Sequence, residues 1–266
     1  MNVEASGAGI MADLYGAAGY STAFSVDAVE LTLLRDAIFA QWMARIEAVY
    51  PEHANAFRAG GMEHYHRLSH LISHETLWRK EHRVLPKESV ATLVQFDFVR
   101  RLTAEFGGGC RMLNLVFFSG EAPDYPEVYW RLVRPTIDAD VGGLHTDKWF
   151  HELLGSGKSL YQEENETTVK MWLAICAEPG LSGLYVVPGS HRKTWRVKHT
   201  LAADGYCRPS LDEHLGDYAR HLVPTAPGQA ILFNENLLHG GAVNAGTASR
   251  ISVEMTFILK RSSITL

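Results

Sequence analysis

The chain has 266 residues, of which 46% are hydrophobic and 21% charged, with a net charge of −5. That composition is too apolar for disorder and large enough to bury a core without a disulfide or metal staple. The charge balance and the scattered Lys and Arg exclude nucleic acid as the main partner, and the absence of a ~20-residue apolar run or a signal-like start argues against a membrane or secreted protein.

Residues 1–25 are rich in Gly, Ala and Ser, and the first ten or so read as a loose tail. A helix is expected to start near Ser25-Val26-Asp27, where Ser or Asp can cap it, and to carry Leu31, Leu34, Ile38, Trp42, Ile46 and Val49 as far as Pro51. A second helical stretch covers about 62–76, and a third runs from Pro86 to Phe106, ahead of Gly107-Gly108-Gly109.

The period then becomes extended. Arg111–Phe118, Val128–Val133, Thr168–Cys176, Gly183–Val187, Gln229–Phe233 and Arg250–Leu259 read as strands separated by turn residues. Helices first and strands later favour a mainly β fold, a double-sheet jelly roll or barrel with helices packed outside it. No repeat or linker divides the chain, so one domain is expected over 1–266: tail and helical layer over 1–109, β core over 110–260. Segment 194–225 is long for a loop and reads as a lid insertion with a short helix near Asp212–Arg220.

Cys110, Cys176 and Cys207 are odd in number and form no C-x-x-C pair, which fits a reducing, cytoplasmic setting. The 13 histidines draw attention instead. His145-Thr146-Asp147 holds the sequence's one H-x-D; in an extended segment, residues i and i+2 project to one face and can grip one ion. By itself the motif is equally a turn histidine beside a solvated carboxylate. His239-Gly240-Gly241 follows 92 residues after Asp147, and Arg250-Ile251-Ser252 comes next. Two neutral imidazoles and a carboxylate on one side of a metal leave open positions, as in non-haem Fe(II) oxygenases. An Arg and a Ser two apart suit an incoming carboxylate. Taken singly, each of these residues also has an ordinary structural reading; their ordered combination is what carries the signal.

The sequence resembles the phytanoyl-CoA dioxygenase family of Fe(II)/2-oxoglutarate-dependent oxygenases. The likeness rests on Val169-Lys170-Met171-Trp172-Leu173-Ala174-Ile175, on Gly183-Leu184-Tyr185-Val186-Val187-Pro188-Gly189-Ser190-His191, and on Ala226 to Phe233 before the His-Gly-Gly. Gly19-Tyr20-Ser21-Thr22 is similar to the family's opening. The match is specific over about 110–260 and looser before it. Gln229 departs from the pattern, where relatives commonly have Asp after the Gly of the turn.

The resemblance implies a double-stranded β-helix using Fe(II), with 2-oxoglutarate and O2 as cosubstrates. It implies that His145, Asp147 and His239 bind iron, and that Arg250, helped by Ser252, holds the far carboxylate of 2-oxoglutarate. Trp172 would wall that pocket, Asn114 would contact the carboxylate nearer the metal, and His191 would be structural. Halogenating relatives replace the ligand carboxylate with a small residue; Asp147 therefore points to hydroxylation or another outcome of hydrogen abstraction. The expected partner is a small metabolite, with tailoring of a natural product as the implied role.

His66, His70 and His74 fall at i, i+4 and i+8, but read as the polar flank of a helix whose apolar stripe holds Met62, Tyr65, Leu68 and Ile72. Lys148-Trp149-Phe150-His151 directly follows the H-x-D; with Arg131, Arg134, Arg192 and Lys193 it offers contacts to a polar or anionic substrate, or else ion pairs and loop anchors. Two other classes stay open at this point: a cupin-like binding protein without catalysis, and a zinc hydrolase on the same ligands, in which Arg250 and Ser252 would lack a purpose. Production of succinate separates the oxygenase from both.

Overall fold

The computed structural model describes residues 9–107, 109–114, 125–154, 165–201 and 207–264. Helix α1 (Ile10–Tyr15) and strand β1 (Tyr20–Ser25) occupy the segment expected as tail and helix lead-in. The long helix α2 spans Ala28–Val49, and Asp27 caps it by accepting from the N–H groups of Val29 (2.8 Å) and Glu30 (2.9 Å). Its buried stripe is Leu34, Ile38, Trp42 and Ile46, whereas Val49 at its end is exposed.

The second expected helix is instead a chain of single turns. These are 3-10 turns at Met62–His64 and Ser69–Leu71 and the short helices α4 (Tyr65–Leu68) and α5 (His74–Leu77), after α3 (Ala54–Gly60). Ser69 Oγ bonds back to His66 O at 3.0 Å and Ile72 is extended, so the helical ladder is interrupted there. The third expected helix divides into α6 (Lys87–Leu93) and α7 (Asp97–Glu105). A residue far away in sequence makes the break: buried Glu30 of α2 accepts from Asp97 N and, at 3.3 Å, from Phe98 N, so a carboxylate caps a new helix start.

The strands follow as β2 (Arg111–Met112), β3 (Val128–Val133), β4 (Glu166–Cys176), β5 (Leu184–Val186), β6 (Val197–Leu201), β7 (Cys207–Leu211), β8 (His221–Val223), β9 (Gln229–Asn234), β10 (His239–Gly241) and β11 (Arg250–Lys260), with helix α8 (Asp147–Leu154) between β3 and β4. Residues 115–118 of the first expected strand lie outside the described residues. The major sheet runs β1-β9-β4-β11, and the far edge of β11 pairs first with β3 and then with β2. The minor sheet runs β10-β5-β8. All these pairings are antiparallel, giving the expected jelly roll.

Alternation along the major sheet assigns its two faces. Val169, Met171 and Leu173 of β4 and Val253, Met255 and Phe257 of β11 join Leu34, Ile38, Trp42, Phe98 and Leu102 in one apolar core, so the helical layer covers the outer face. Trp172, Ala174, Ile231 and Phe233 project the other way and pack on Leu184, Val186 and Val223 of the minor sheet. At roughly 1.5–3 kcal/mol for each fully buried large apolar side chain, the outer core supplies most of the driving force.

Segment 194–225 holds the hairpin β6–β7 rather than a helix near Asp212–Arg220. Leu211 N bonds to Leu144 O at 2.8 Å, and Trp195, Val197 and Leu211 share a cluster with Trp149 and Leu238, so the insertion seats on the segment that carries the H-x-D.

Candidate metal centre

His145 and His239 face each other across an isolated antiparallel bridge, each N–H donating to the other's carbonyl at 2.9 Å. Close approach of the chains is what requires Gly240: a Cβ there would meet Gly143 O at 3.2 Å. Asp147 does not continue the extended segment but opens α8, whose Trp149 N lies 3.4 Å from Thr146 Oγ1. The H-x-D thus straddles a strand-to-helix turn, and that turn rather than strand alternation aims both side chains inward. Lys148 N donates to Glu235 O at 3.1 Å, tying the start of α8 to the loop before His239. The Glu235 carboxylate is itself held by Thr167 and Thr168.

One ligand atom from each of His145, Asp147 and His239 lies within 4.8 Å of the others, and His239 Nε2 stands 3.6 Å from Asp147 Oδ1. His145 Nδ1 lies 2.8 Å from Gly143 O and His239 Nδ1 3.0 Å from Leu237 O. A carbonyl can only accept, so both rings carry their proton on Nδ1 and present the Nε2 lone pair to the centre. Burial, then the neighbouring His239, pushes His145 down to about 4, which keeps the imidazole neutral at pH 7. Burial alone would raise Asp147, but Lys170 and then the two histidines outweigh it and hold the carboxyl well below its usual range. Asp147 Oδ2 is buried and finds no hydrogen-bond partner among the described residues. Two imidazole lone pairs and an ionised, under-satisfied carboxylate form a donor set that fits a divalent ion.

Arg250 lies in the same interior. It is 2% exposed, donates Nη1 to Gly183 O, and sits with its guanidinium carbon 5.7 Å from the Trp172 ring. A Cβ added at Gly241 would stand 3.7 Å from Arg250 Nη2, which places the fork beside β10, two residues from His239. Arg250 has no acidic partner among the described residues, its Nε makes no hydrogen bond, and Ser252 Oγ is likewise buried and unsatisfied. Burial, then Arg131, lowers Arg250 to about 10, so it remains a cation at pH 7. An isolated buried cation is costly, and an arriving carboxylate relieves it.

The remaining expected contacts are dispersed. Asn114 is exposed at the sheet edge, bridged to Pro126. Lys148 is half-exposed, 3.9 Å from Glu152. Trp149 is buried against Trp195 and Val187, and Arg192 is exposed. Arg134 grips Asp140 with Nε (2.9 Å) and Nη2 (2.7 Å), anchoring the loop that leads to His145. The three helical-spacing histidines separate: His66 Nδ1 meets Ser249 Oγ at 3.1 Å, His70 is exposed, and His74 Nδ1 meets Tyr65 OH at 2.8 Å. His191 Nε2 bonds to Gly16 O at 3.1 Å, a structural tie. Gly19 (φ +82°) is confined by it, since a Cβ there would stand 2.3 Å from His191 Nδ1. Gln229 completes its turn by accepting from Ala226 N at 2.8 Å.

Arg131 does reach the interior, together with two residues not singled out from the sequence. Arg131 pairs with Glu254, and Lys170 Nζ lies 3.8 Å from Glu254 Oε2 and 3.2 Å from Thr256 Oγ1. The signal was parity: Lys170 shares the face of Trp172, and Glu254 that of Arg250 and Ser252, each a charge inside an apolar strand.

The family model for phytanoyl-CoA dioxygenase matches residues 37–252. No curated protein matches the chain. Among solved structures, the chain is similar to the apo form of the non-heme monooxygenase ThoJ, at 11% identity over 94% of this chain and 79% of that one, with a TM-score of 0.53. It is also similar to SnoN, a non-heme alpha ketoglutarate dependent epimerase from nogalamycin biosynthesis, at 13% identity over 96% and 84% with a TM-score of 0.50. EvdO2 from Micromonospora carbonacea var. aurantiaca, complexed with 2-oxoglutarate, matches at 15% identity over 66% of this chain and 65% of that one, with a TM-score of 0.44. The likenesses to ThoJ and SnoN support the fold, and the family model, covering most of the length and spanning all three candidate ligands and Arg250, establishes more. The chain belongs to the phytanoyl-CoA dioxygenase family, whose enzymes work with Fe(II), 2-oxoglutarate and O2.

Proposed function

We propose that the protein hydroxylates a small metabolite in a natural-product pathway, with His145, Asp147 and His239 holding Fe(II) and Arg250 and Ser252 holding the far carboxylate of 2-oxoglutarate. The observation that carries this reading is the buried Arg250, without an acidic partner among the described residues and beside the unsatisfied Ser252 Oγ, in the same interior as the three ligands. A binding module or a zinc hydrolase has no use for that second site. The biosynthetic role draws on SnoN, and the cytoplasmic setting on the free cysteines Cys110, Cys176 and Cys207.

The chain's own residues define what can happen. The carbonyls of Gly143 and Leu237 fix each imidazole's tautomer, and Arg134 and Asp140 brace the loop before His145. A three-residue ligand face leaves the opposite positions open for a cosubstrate and O2. Arg250 orients the dicarboxylate by a two-pronged contact, while Trp172, Ile231 and Phe233 keep water from its chain. When bound, the iron and cosubstrate supply the oxidation, in which 2-oxoglutarate, O2 and a C–H bond become succinate, CO2 and an alcohol. Asp147, as a carboxylate ligand, occupies the place that a halide would need.

Anaerobic addition of Fe(II) and then 2-oxoglutarate tests the assignment. The expected result is a weak visible charge-transfer band that requires both additions. Fe(II) binding without the band in folded protein would reject 2-oxoglutarate, and no Fe(II) binding would favour the non-catalytic barrel. Once a substrate is found, a product 16 mass units heavier confirms hydroxylation; an unchanged mass with succinate released marks epimerisation.

A further inference from the structure

Among the described residues, the cations gathered at the inner face of β3, β4 and β11 outnumber the acids that pair with them. Arg131 and Lys170 share the single carboxylate of Glu254. Next to them, the Tyr129 ring, 6% exposed and on the same face, has three cations against it: Lys80 Nζ at 5.5 Å, the Arg83 guanidinium carbon at 4.9 Å and that of Arg131 at 5.2 Å. Lys80 has Glu127 at 3.1 Å. Arg83 has no acidic partner among the described residues, and its buried Nε makes no hydrogen bond. Among the described residues, Arg83, Arg131 and Lys170 therefore stand against the one carboxylate of Glu254. Asp140 does not redress the balance, because Arg134 holds both of its oxygens and His74 Nε2 lies 3.6 Å from Oδ1. Asp147, beside Lys170, is committed to the metal centre.

Cations so close together repel and lose solvation, and their contact with one aromatic ring recovers only part of that cost. Arg250 shows the same pattern on the same sheet. The two cationic seats adjoin on one face: Arg250 lies by Trp172 and Gly183, whereas Arg83 and Arg131 meet at Tyr129, with Arg131 opposite Ser252 across β3 and β11. We propose that the Arg83–Arg131–Lys170 cluster is the seat for an acidic group of the prime substrate, a carboxylate or phosphate ester that anchors the molecule while a C–H bond lies at the metal. This deepens the function proposed above and rests on it. Guanidinium forks suit either anion, and Arg83 supplies donors that no acid among the described residues uses.

The test uses the anaerobic holoenzyme with Fe(II) and saturating 2-oxoglutarate, so that Arg250 is already occupied. Calorimetric titration compares benzoate and phenyl phosphate with their neutral analogue benzyl alcohol. One or both acids are expected to bind well ahead of the alcohol, and the tighter of the two identifies carboxylate or phosphate. Arg83→Gln should weaken acid binding by about tenfold or more. Arg83→Lys should restore part of that loss, and Glu254→Gln, which removes the competing acid, should tighten binding. Affinity for 2-oxoglutarate should stay unchanged in all three.

Equal binding of acids and alcohol, or no acid binding, overturns the proposal; so does an Arg83→Gln variant whose defect falls on 2-oxoglutarate. If Arg83→Gln does not fold, Arg83→Lys and Glu254→Gln decide the matter, because a purely structural ion-pair cluster predicts no tightening from the latter. A protein that shows the chelate band but no preference for acids keeps the oxygenase reading and loses the anion seat. Acid binding that depends on Arg83, in protein without the band, does the reverse.

Discussion

Val169, Met171 and Leu173 of β4 alternate with Thr168, Lys170 and Trp172, and the two sets meet opposite surroundings. The first set is fully buried against the helical layer, as are Val253, Met255 and Phe257 of β11. The second set shares its face with Arg131, Arg250, Ser252 and Glu254, a row of charged and hydroxyl groups inside the barrel. Burying such groups lowers stability unless partners satisfy them, and Arg250 Nε and Ser252 Oγ find no hydrogen-bond partner among the described residues. The same strands thus separate the two duties by parity: the outer face holds the fold, and the surplus stability there tolerates an inner face arranged for ligands.

That separation can be broken from either side. The largest effect should come from His239→Ala on the inner side: Fe(II) binding and succinate release should fall below detection, while the melting temperature stays close to that of the parent because the backbone bridge to His145 needs no imidazole. A variant that still releases succinate would dissolve the triad. On the outer side, Phe257→Ala removes a ring packed 5.6 Å from Phe106 and should cost about 3–5 kcal/mol in urea unfolding, with the affinity of the folded fraction for 2-oxoglutarate unchanged. Arg250→Ala should weaken 2-oxoglutarate about 10–100-fold, read from the chelate band, without loss of Fe(II) binding. Its unfolding free energy without ligands should not fall, since it removes a buried cation that lacks an acidic partner among the described residues. A marked loss of stability would mean that Arg250 belongs to the scaffold, and the division by face would not hold.

The strands were the most legible part of the fold because a period of two survives in isolation: Val128–Val133 was anticipated residue for residue, and β4, β5, β9 and β11 to within one or two positions. The helical layer was less so, since its breaks are set from outside the segment. Strand β1 was missed because Tyr20–Ser25 looks polar and short until β9 pairs with it. The set His145, Asp147 and His239, which the structure brings within 4.8 Å of one another, stood out together with Arg250 because metal and carboxylate chemistry would constrain residue type and spacing. Lys148, Trp149, Arg134 and Arg192 were grouped with them only by residue type or nearness in sequence, and the fold sends Trp149 into an apolar cluster and Arg134 onto Asp140. Lys170 and Glu254 went unnoticed because a single charge in an apolar strand acquires meaning only when neighbouring strands fix which face it shares.

Glu30 offers the finest probe of the comparison, because it is a buried charge on the outer side. It lies on α2 and receives the N–H groups of Asp97 and Phe98, so it joins two helices of the layer that covers the sheet. Glu30→Gln keeps the shape and one accepting oxygen but loses the charge at the start of α7. The expected cost is about 1 kcal/mol in urea unfolding, comparable to the loss of a helix cap. Affinities for Fe(II) and 2-oxoglutarate should not change, because α7 meets the sheet through its apolar face, Phe98, Val99 and Leu102, and through Arg101 on β1, all of them away from the inner face. If Glu30→Gln instead weakened 2-oxoglutarate binding, the outer layer would be setting the position of the inner face, and the two faces of β4 and β11 would be mechanically coupled rather than separate in their duties.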